Sequence, residues 1–291
     1  MNFHNAETLL NLCQKGGIPL SQAMIDREVL HLGANLNDIL ERMNRSYEIM
    51  KDSVHRSITE EIHSIGGLIG GEAKKLDAYR SAAANPLCGP VISKAITYAM
   101  GVLEVNASMG LIVAAPTAGS SGVIPGVFLA LQEEYGFSDA EMVKALFNAG
   151  AIGYLITKNA TVAGAEGGCQ AEVGAASAMA ASAAVELFGG TPEQCMHAAG
   201  TAITNILGLV CDPIAGLVEA PCQKRNAMGA SNAIVSAQLT LAGVGNLLPL
   251  DEVIDVMYSV GRSIPFELRE TALGGVAASP TGCRLCSKIF G

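Results

Sequence analysis

A run of small residues in the middle of the chain constrains the fold more than any other feature. Between residues 170 and 188 the sequence, QAEVGAASAMAASAAVELF, consists mostly of Ala, Ser and Gly. A helix of such residues cannot cover itself with its own side chains, so neighbouring elements must enclose it on all sides. The whole chain is also poor in bulky aromatic side chains: half of its 291 residues are apolar, but only 4% are aromatic and Trp is absent. We therefore expect helices that approach each other closely.

Helical periodicity and capping signals extend over most of the chain. Apolar residues at spacings of three and four predict a long amphipathic helix, or a hairpin of two, over residues 20–64. Capping residues and prolines predict further helices over 90–108, from Ser120 or Ser121 to 135, from Ser138 onward, and over 170–188, 191–209, 222–241, 251–262 and 265–271. No alternating strand pattern, internal repeat or low-complexity linker is evident.

These patterns predict an all-α fold. We expect one multi-helix catalytic domain over residues 1–291, with an N-terminal helical segment to about residue 65 and a core from about 66 to 291. Loops rich in Gly and Pro would meet at a buried site within that core.

Charge and cysteine content exclude several classes of protein. The formal charge of −9 and the absence of a Lys/Arg cluster argue against nucleic-acid binding. The first residues lack a basic segment with a cleavage site, so we expect a cytoplasmic protein. Eight cysteines are too dilute for a disulfide scaffold, which leaves free thiols or metal ligands. Polar residues and prolines interrupt the uncharged runs 105–132 and 226–250, so no membrane span is predicted.

Three cysteines lie beside Gly, Pro or acidic residues at predicted helix boundaries. Cys169, Cys211 and Cys222 are 42 and 11 positions apart. Structural zinc normally has closely paired ligands, and electron-transfer clusters generally have four cysteines. A cluster held by three cysteines leaves one metal free to act as a Lewis acid on a substrate oxygen. The spacing therefore favours hydro-lyase chemistry, with buried structural cysteines as the alternative.

Two loops and a cation are further candidates. The hydroxyl-rich loop 117–122 precedes a helix, whose start would present free N–H groups to a carboxylate, although an ordinary helix cap would look the same. Lys158, beside Asn159, could hold a carboxylate, take part in proton transfer, or pair with Glu166 or Glu172. The loop SIGGLIGGEAKKL contains four glycines, which suit either a hinge or a close approach to a ligand.

Four long motifs carry a family resemblance. GAEGGCQAEVG, CDPIAGLVEAPCQKRNA, APTAGSSGVIPG and ELRETALGGVAASPTG resemble the iron-sulfur-dependent L-serine dehydratases (L-serine ammonia-lyases), and specifically the α subunit of their two-chain branch. The resemblance covers essentially the whole chain. It implies an all-helical catalytic domain that converts L-serine to pyruvate and ammonia without pyridoxal phosphate, as part of serine catabolism. It also implies a 4Fe-4S cluster bound by Cys169, Cys211 and Cys222.

The resemblance favours a substrate-binding role for the hydroxyl-rich loop. The candidates for binding the substrate's carboxylate and amino groups are Thr117, Gly119, Ser120, Ser121, Lys158 and Asn159, with Lys158 also a candidate catalytic residue. No histidine lies in the matched motifs, so the general base is not assigned. A base from a partner chain is one solution.

The resemblance also implies a partner. Single-chain members of the family resemble a fusion of this region to a second domain with a Pro-Ser-Ser-Ser-His-Thr motif, which this chain lacks. We therefore expect a separate β subunit in a hetero-oligomer, with little activity from this chain alone. Cys283 and Cys286 depart from the family pattern; either is a candidate fourth cluster ligand when substrate is absent, and the alternative is two surface thiols.

Three other functions stay open on the sequence. The first is an electron-transfer or sensor protein whose cluster has Cys283 or Cys286 as a permanent fourth ligand. The second is a non-enzymatic scaffold with structural cysteines. The third is a related dehydratase acting on threonine or another small hydroxy acid, since the sequence does not set the pocket size.

Overall fold

The computed structural model describes residues 2–291, and helices dominate this part of the chain. It contains thirteen α-helices and, within the same residues, no β-strand, so the predicted all-α fold is confirmed. The helices are α1 Ala6–Gly16, α2 Leu20–Asp26, α3 Leu36–Thr59, α4 Glu72–Ala82, α5 Gly89–Ala107, α6 Val123–Tyr135, α7 Asp139–Asn159, α8 Gly164–Gly167, α9 Cys169–Leu187, α10 Pro192–Thr204, α11 Cys222–Leu241, α12 Leu250–Ser263 and α13 Pro280–Phe290.

Local capping signals set several helix starts. Asn5 begins α1, Ser138 begins α7 and Thr191 begins α10, each through a capping box in which two side chains satisfy free N–H groups. Asn35 caps α3 by accepting from two N–H groups. Because these bonds are local, the sequence alone was sufficient to predict the starts of α7 and α10.

Helix α9 lies at the centre and packs against α6, α7, α10 and α11. Most of its side chains are buried, as its run of small residues requires. Small residues also allow α5 and α6 to touch. A Cβ at Gly126 would lie 2.7 Å from the carbonyl oxygen of Ala95, and one at Gly122 would overlap the carbonyl oxygen of Ala99. The helices therefore pack backbone against backbone at these positions.

The hydrophobic core runs without a break from Phe3 to Met257. The N-terminal helix is attached to α12 by a side chain, since the carboxylate of Asp251 accepts from the N–H groups of Ala6 at 2.7 Å and Glu7 at 3.0 Å. In the described residues, none of the helices has the length and apolarity needed to traverse a bilayer.

Two predicted helices have different bounds in the structure. The segment 20–64, predicted as one long helix or a hairpin of two, forms two helices, α2 and α3, with a π-helical turn at Arg27–His31 between them, and α3 ends at Thr59. The helix predicted to reach residue 209 ends at Thr204. Gly208 then adopts a φ of 85°, and its N–H donates to Gln170 Oε1 at 2.8 Å, so a side chain of α9 replaces the helical bond.

The C-terminal prediction was wrong in one place. Residues 265–271 form only a 3-10 turn at Phe266–Leu268. The chain leaves the helical conformation because the backbone beside Arg269 bridges to Cys211. Helix α13, which follows, was not predicted.

Candidate metal centre and substrate loop

The three cysteines of the sequence prediction begin or flank helices, and all three are buried. Cys169 is the first residue of α9 and Cys222 is the first residue of α11. Cys211 lies in extended backbone, where its N–H donates to Leu268 O at 2.8 Å and its carbonyl accepts from Glu270 N at 2.6 Å. The C-terminal segment therefore fixes the position of Cys211.

Two of these thiols meet a carboxylate. The ligand atoms of Cys169, Cys211 and Glu172 all lie within 4.8 Å of one another. Glu172 is three positions after Cys169, so the two side chains share one face of α9. Cys222 lies outside this group of three. The group nevertheless affects Cys222 electrostatically. Burial has the largest effect in raising the pKa of the Cys222 thiol, and the negative charges of Cys169 and Glu172 raise it further.

Arg225 provides positive charge beside the thiols. Its Nη1 lies 3.5 Å from Cys169 Sγ and donates to Val210 O at 2.9 Å, while Nη2 donates to Asp212 Oδ1 at 2.7 Å. The pKa of Cys169 is lowered by a hydrogen bond from Cys211 and by the charge of Arg225, against the effect of burial. The pKa of Cys211 is raised, because its thiol donates that bond and is buried. Cys169 is therefore the thiol that ionises more readily.

The hydroxyl-rich loop reaches the same group of residues. Thr117 Oγ1 donates to Glu172 Oε1 at 2.7 Å. Burial raises the pKa of Glu172, the bond from Thr117 opposes this effect, and the negative charge of Glu270 adds to it. The structure thus brings the predicted loop and two of the predicted cysteines together around one carboxyl group.

Glycines keep the space around that carboxyl group open. A Cβ at Gly119 would lie 2.9 Å from Glu172 Oε1. A Cβ at Gly164 would lie 2.8 Å from Glu172 Oε2 and 3.1 Å from Cys211 Sγ. Any larger residue at Gly164 would press directly on two of the potential ligand atoms.

These residues fit an iron-sulfur cluster in their donor chemistry. Thiolates are the usual ligands of such clusters, and Cys169, Cys211 and Cys222 are free of disulfides. The guanidinium of Arg225 offers N–H groups of the kind that tune cluster sulfur atoms. The side-chain-free position at Gly164 leaves room beside Cys211. Glu172 adds an oxygen donor that the sequence prediction did not include.

The interior of the loop differs from the prediction. Neither Ser120 nor Ser121 caps α6; Thr117 caps a 3-10 turn by accepting from Ser120 N, and α6 starts afterwards without a side-chain cap. Gly122 N donates to Asn226 Oδ1 at 3.0 Å, and Ser121 N donates within the turn. Several N–H groups that were expected to be free for a substrate carboxylate are therefore already bonded.

Lys158 and Asn159 lie at the exposed end of α7. The amide of Asn159 donates to His4 O at 2.8 Å, which ties α7 to the N-terminal segment. Within residues 2–291 Lys158 forms no ion pair. The two acids predicted as its possible partners are bonded elsewhere, Glu166 to Thr161 and Glu172 to Thr117. The structure does not join either residue to the thiol group.

The tail cysteines lie on α13. Cys283 is exposed and Cys286 is partly buried, and neither belongs to the group of ligand atoms described above. Helix α13 packs against the 3-10 turn Ile214–Gly216, which lies between Cys211 and Cys222. A role for either tail cysteine as a fourth ligand stays a prediction.

Sequence reasoning missed three side chains of this centre. The sequence prediction includes Glu172 only as a possible partner for Lys158 and does not include Asp212 or Arg225 among the site residues. Two of them carry the same signal, because Glu172 and Arg225 each lie three positions after a cysteine that starts a helix. Asp212 had no comparable signal, since its role depends on long-range contacts.

Comparisons with known proteins identify the family of this chain. A family model described as serine dehydratase alpha chain matches residues 15–277. A probable L-serine dehydratase alpha chain of Bacillus subtilis is 48% identical over 289 residues, covering 99% of this chain and 96% of that protein. The L-serine dehydratase alpha chain of Peptoniphilus asaccharolyticus is 44% identical over 283 residues, with 97% of each chain covered. An L-serine dehydratase of Streptomyces coelicolor is 37% identical across 97% of this chain but only 62% of its own length. The chain belongs to the serine dehydratase alpha chain family.

Proposed function

We propose that this chain is the catalytic α chain of an L-serine dehydratase, which deaminates L-serine to pyruvate and ammonia. The observation that carries the proposal is the convergence of Cys169 and Cys211 on Glu172, which is hydrogen-bonded to Thr117 of the predicted substrate loop. Relatives named L-serine dehydratase, one of them 48% identical to this chain, support the choice of substrate.

We further propose that Cys169, Cys211 and Cys222 hold a 4Fe-4S cluster and that no pyridoxal phosphate takes part. When bound, such a cluster supplies an iron without a protein ligand, which acts as a Lewis acid and assists loss of the substrate hydroxyl. Burial of all three cysteines supports this role, because a dry environment shields the cluster from solvent.

The chain's own side chains would bind and orient the amino acid. Glu172 and the nearby Glu270 provide acidic groups, which suit the substrate's ammonium group. The hydroxyls of Thr117 and Ser120 lie 2.9 Å apart, and Thr117 Oγ1 also donates to Glu172 Oε1 at 2.7 Å. These hydroxyls would orient the substrate's polar groups by exchanging those bonds for bonds to the substrate. Arg225 does not serve the substrate carboxylate, since it is already bonded to Asp212.

The substrate-binding proposal also keeps Gly119 and Ser121, which belong to the same loop. Gly119 borders Glu172, and the Ser121 hydroxyl donates to Ala118 O at 2.7 Å. Lys158 and Asn159 stay predictions without support from the geometry. The general base is not assigned.

A separate β chain is part of the proposal. The relatives that match along their whole length are named alpha chains, whereas the Streptomyces coelicolor protein, an L-serine dehydratase, is longer than this chain by the part that lies outside the match. We propose that a β chain supplies that part and the missing base in a hetero-oligomer.

The ligand assignment is tested by iron and sulfide content after anaerobic reconstitution. Cys211→Ser should lose the bound iron and sulfide. Cys88→Ser, which removes an exposed thiol on the N-terminal side of α5, should keep both and serves as the matched control. Equal cluster content in the two variants would overturn the assignment and favour a scaffold with structural cysteines.

The substrate and the enzymatic role are tested by spectroscopy on the same samples. Adding L-serine should shift the visible spectrum of the reconstituted chain, and threonine should shift it less. An unchanged spectrum with either amino acid would favour an electron-transfer or sensor protein with a fully ligated cluster.

A further inference from the structure

The glycine-rich loop between α3 and α4 is held by a single carboxylate. Glu219, which is 3% exposed, accepts from three donors of this loop. Its Oε2 accepts from Ser64 Oγ at 2.6 Å and from Leu68 N at 3.0 Å, and its Oε1 accepts from Gly66 N at 2.7 Å. In the part of the chain that the structure describes, Glu219 has no cationic partner, and these three donors are the groups that hydrogen-bond to its buried side chain.

The close fit explains one glycine of the loop. A Cβ at Gly66 would lie 2.8 Å from Glu219 Oε1 and would overlap the side chain of Leu217. The loop therefore packs its backbone directly on the carboxylate. The sequence left open whether these glycines form a hinge or a close approach to a ligand, and here the close approach is to a side chain of the same protein.

The backbone of Glu219 supports the start of α11, which is Cys222. Its carbonyl oxygen accepts from Gln223 N at 2.9 Å. The side-chain amide of Gln223 donates from Nε2 to Glu104 Oε1 at 2.8 Å and lies 3.4 Å from Glu72 Oε2. Glu72 Oε2 in turn accepts from Gly70 N at 2.7 Å. The residues on either side of Cys222 are thus linked to the glycine-rich loop: Glu219 bonds directly to its first part, and Gln223 reaches its last part through Glu72.

We propose that Glu219 is a positioning residue that couples the glycine-rich loop, residues 64–71, to the place of Cys222 in the ligand set. The inference rests on the proposed function, because Cys222 is a cluster ligand only under that proposal. Through this coupling, a well-ordered loop keeps Cys222 in its place in the ligand set, and a disordered loop loosens it. Neighbours that orient metal ligands typically change metal affinity by about 10–100-fold when they are replaced.

The test compares Glu219→Gln with Glu61→Gln in the full-length chain. Glu61 lies three positions before the start of the loop, but its side chain is 82% exposed and its ion-pair partner among residues 2–291 is His63. Two quantities are measured. The first is amide hydrogen exchange of the iron-free chain over residues 64–71, 211–224 and α7. The second is the rate at which a chelator removes iron from the anaerobically reconstituted chain.

In Glu219→Gln we expect faster exchange in 64–71 and in 211–224, unchanged exchange in α7, and iron loss about tenfold faster than in the wild type. Glu61→Gln should match the wild type. Faster exchange in 64–71 alone, or equally faster exchange in α7, would overturn the coupling, as would an unchanged rate of iron loss from a loaded chain.

Two further outcomes, a wild type that takes up no iron and a variant that does not fold, are distinguished from failure of the coupling. If the wild type takes up no iron and sulfide, the proposed cofactor is refuted, and the exchange measurement alone decides whether the loop and the Cys222 segment are coupled. If Glu219→Gln does not fold, Ser64→Ala removes one of the three donors and should change exchange in the same two segments. An unchanged 211–224 segment in that variant would overturn the proposal.

Discussion

Asp212 and Arg225 form a buried ion pair at the candidate metal centre, and breaking it gives the clearest test of how the centre is held. Their side chains are 3% and 14% exposed and are joined by a 2.7 Å contact. The second oxygen of Asp212 accepts from Val276 N at 2.7 Å, so the pair also anchors the C-terminal segment. Asp212→Asn removes the negative charge and leaves the guanidinium buried without its counter-ion.

The expected loss follows from that burial. Removing one partner of a buried pair typically costs about 3–5 kcal/mol, because the remaining charge is left uncompensated. Glu48→Gln, the same change of carboxylate to amide in the surface pair Arg45–Glu48, should cost less than about 1 kcal/mol. The side chains of that control pair are 65% and 45% exposed. The two substitutions differ mainly in burial.

The assay is urea unfolding of the iron-free chain under reducing conditions, read by helical circular dichroism. Asp212→Asn should lower the free energy of unfolding by several times the effect of Glu48→Gln. The double variant Asp212→Asn with Arg225→Met should be more stable than the sum of the single losses predicts, because no buried charge is left unpaired. Equal losses for the buried and surface pairs, or strictly additive losses, would refute the reasoning.

Three further predictions follow from single positions. Gly122→Ala should destabilise the chain by about 1–3 kcal/mol in the same urea assay, since its methyl group would overlap Ala99 of α5; an unchanged midpoint would contradict the packing. Burial raises the pKa of Glu104 from 4.5 to about 7. The native state therefore binds the Glu104 proton more tightly than the unfolded state does. The contribution of this proton to the free energy of unfolding is fully present below about pH 4.5 and is lost as the pH rises through about 7, a loss of up to about 3 kcal/mol. Glu104→Gln should flatten the pH dependence of stability across that interval, and an identical pH profile would count against it. Gly164→Ala should reduce iron uptake by crowding Glu172, while a fold close to wild type persists; full iron content would show that the space is not needed.

The helices could be predicted where their signals are local. The sequence placed α11 at residues 222–241, the bounds that the structure has, and the proline before Cys222 is the local signal for its start. It misjudged residues 265–271, where the backbone bonds go to Cys211, more than fifty positions away in the sequence. No local pattern reports such a partner.

In the candidate site, too, residues with a local sequence signal could be predicted and those that depend on long-range packing could not. Cysteines at predicted helix boundaries led to Cys169 and Cys211, and the hydroxyl-rich loop led to Thr117, and the structure brings these together. In the sequence Lys158 stands out as a lone cation in an uncharged segment, and in the fold it lies at an exposed helix end. Arg225 is the cation that contacts a thiol, and only the packing of α11 against α9 shows it.

Pyruvate formation from L-serine tests the central claim most directly. It is measured under anaerobic conditions on the reconstituted chain combined with its β chain, before iron removal, after removal by a chelator, and after iron and sulfide are restored. The proposed function predicts activity that disappears with the iron and returns when the cluster is rebuilt. Activity that survives complete loss of iron would contradict it.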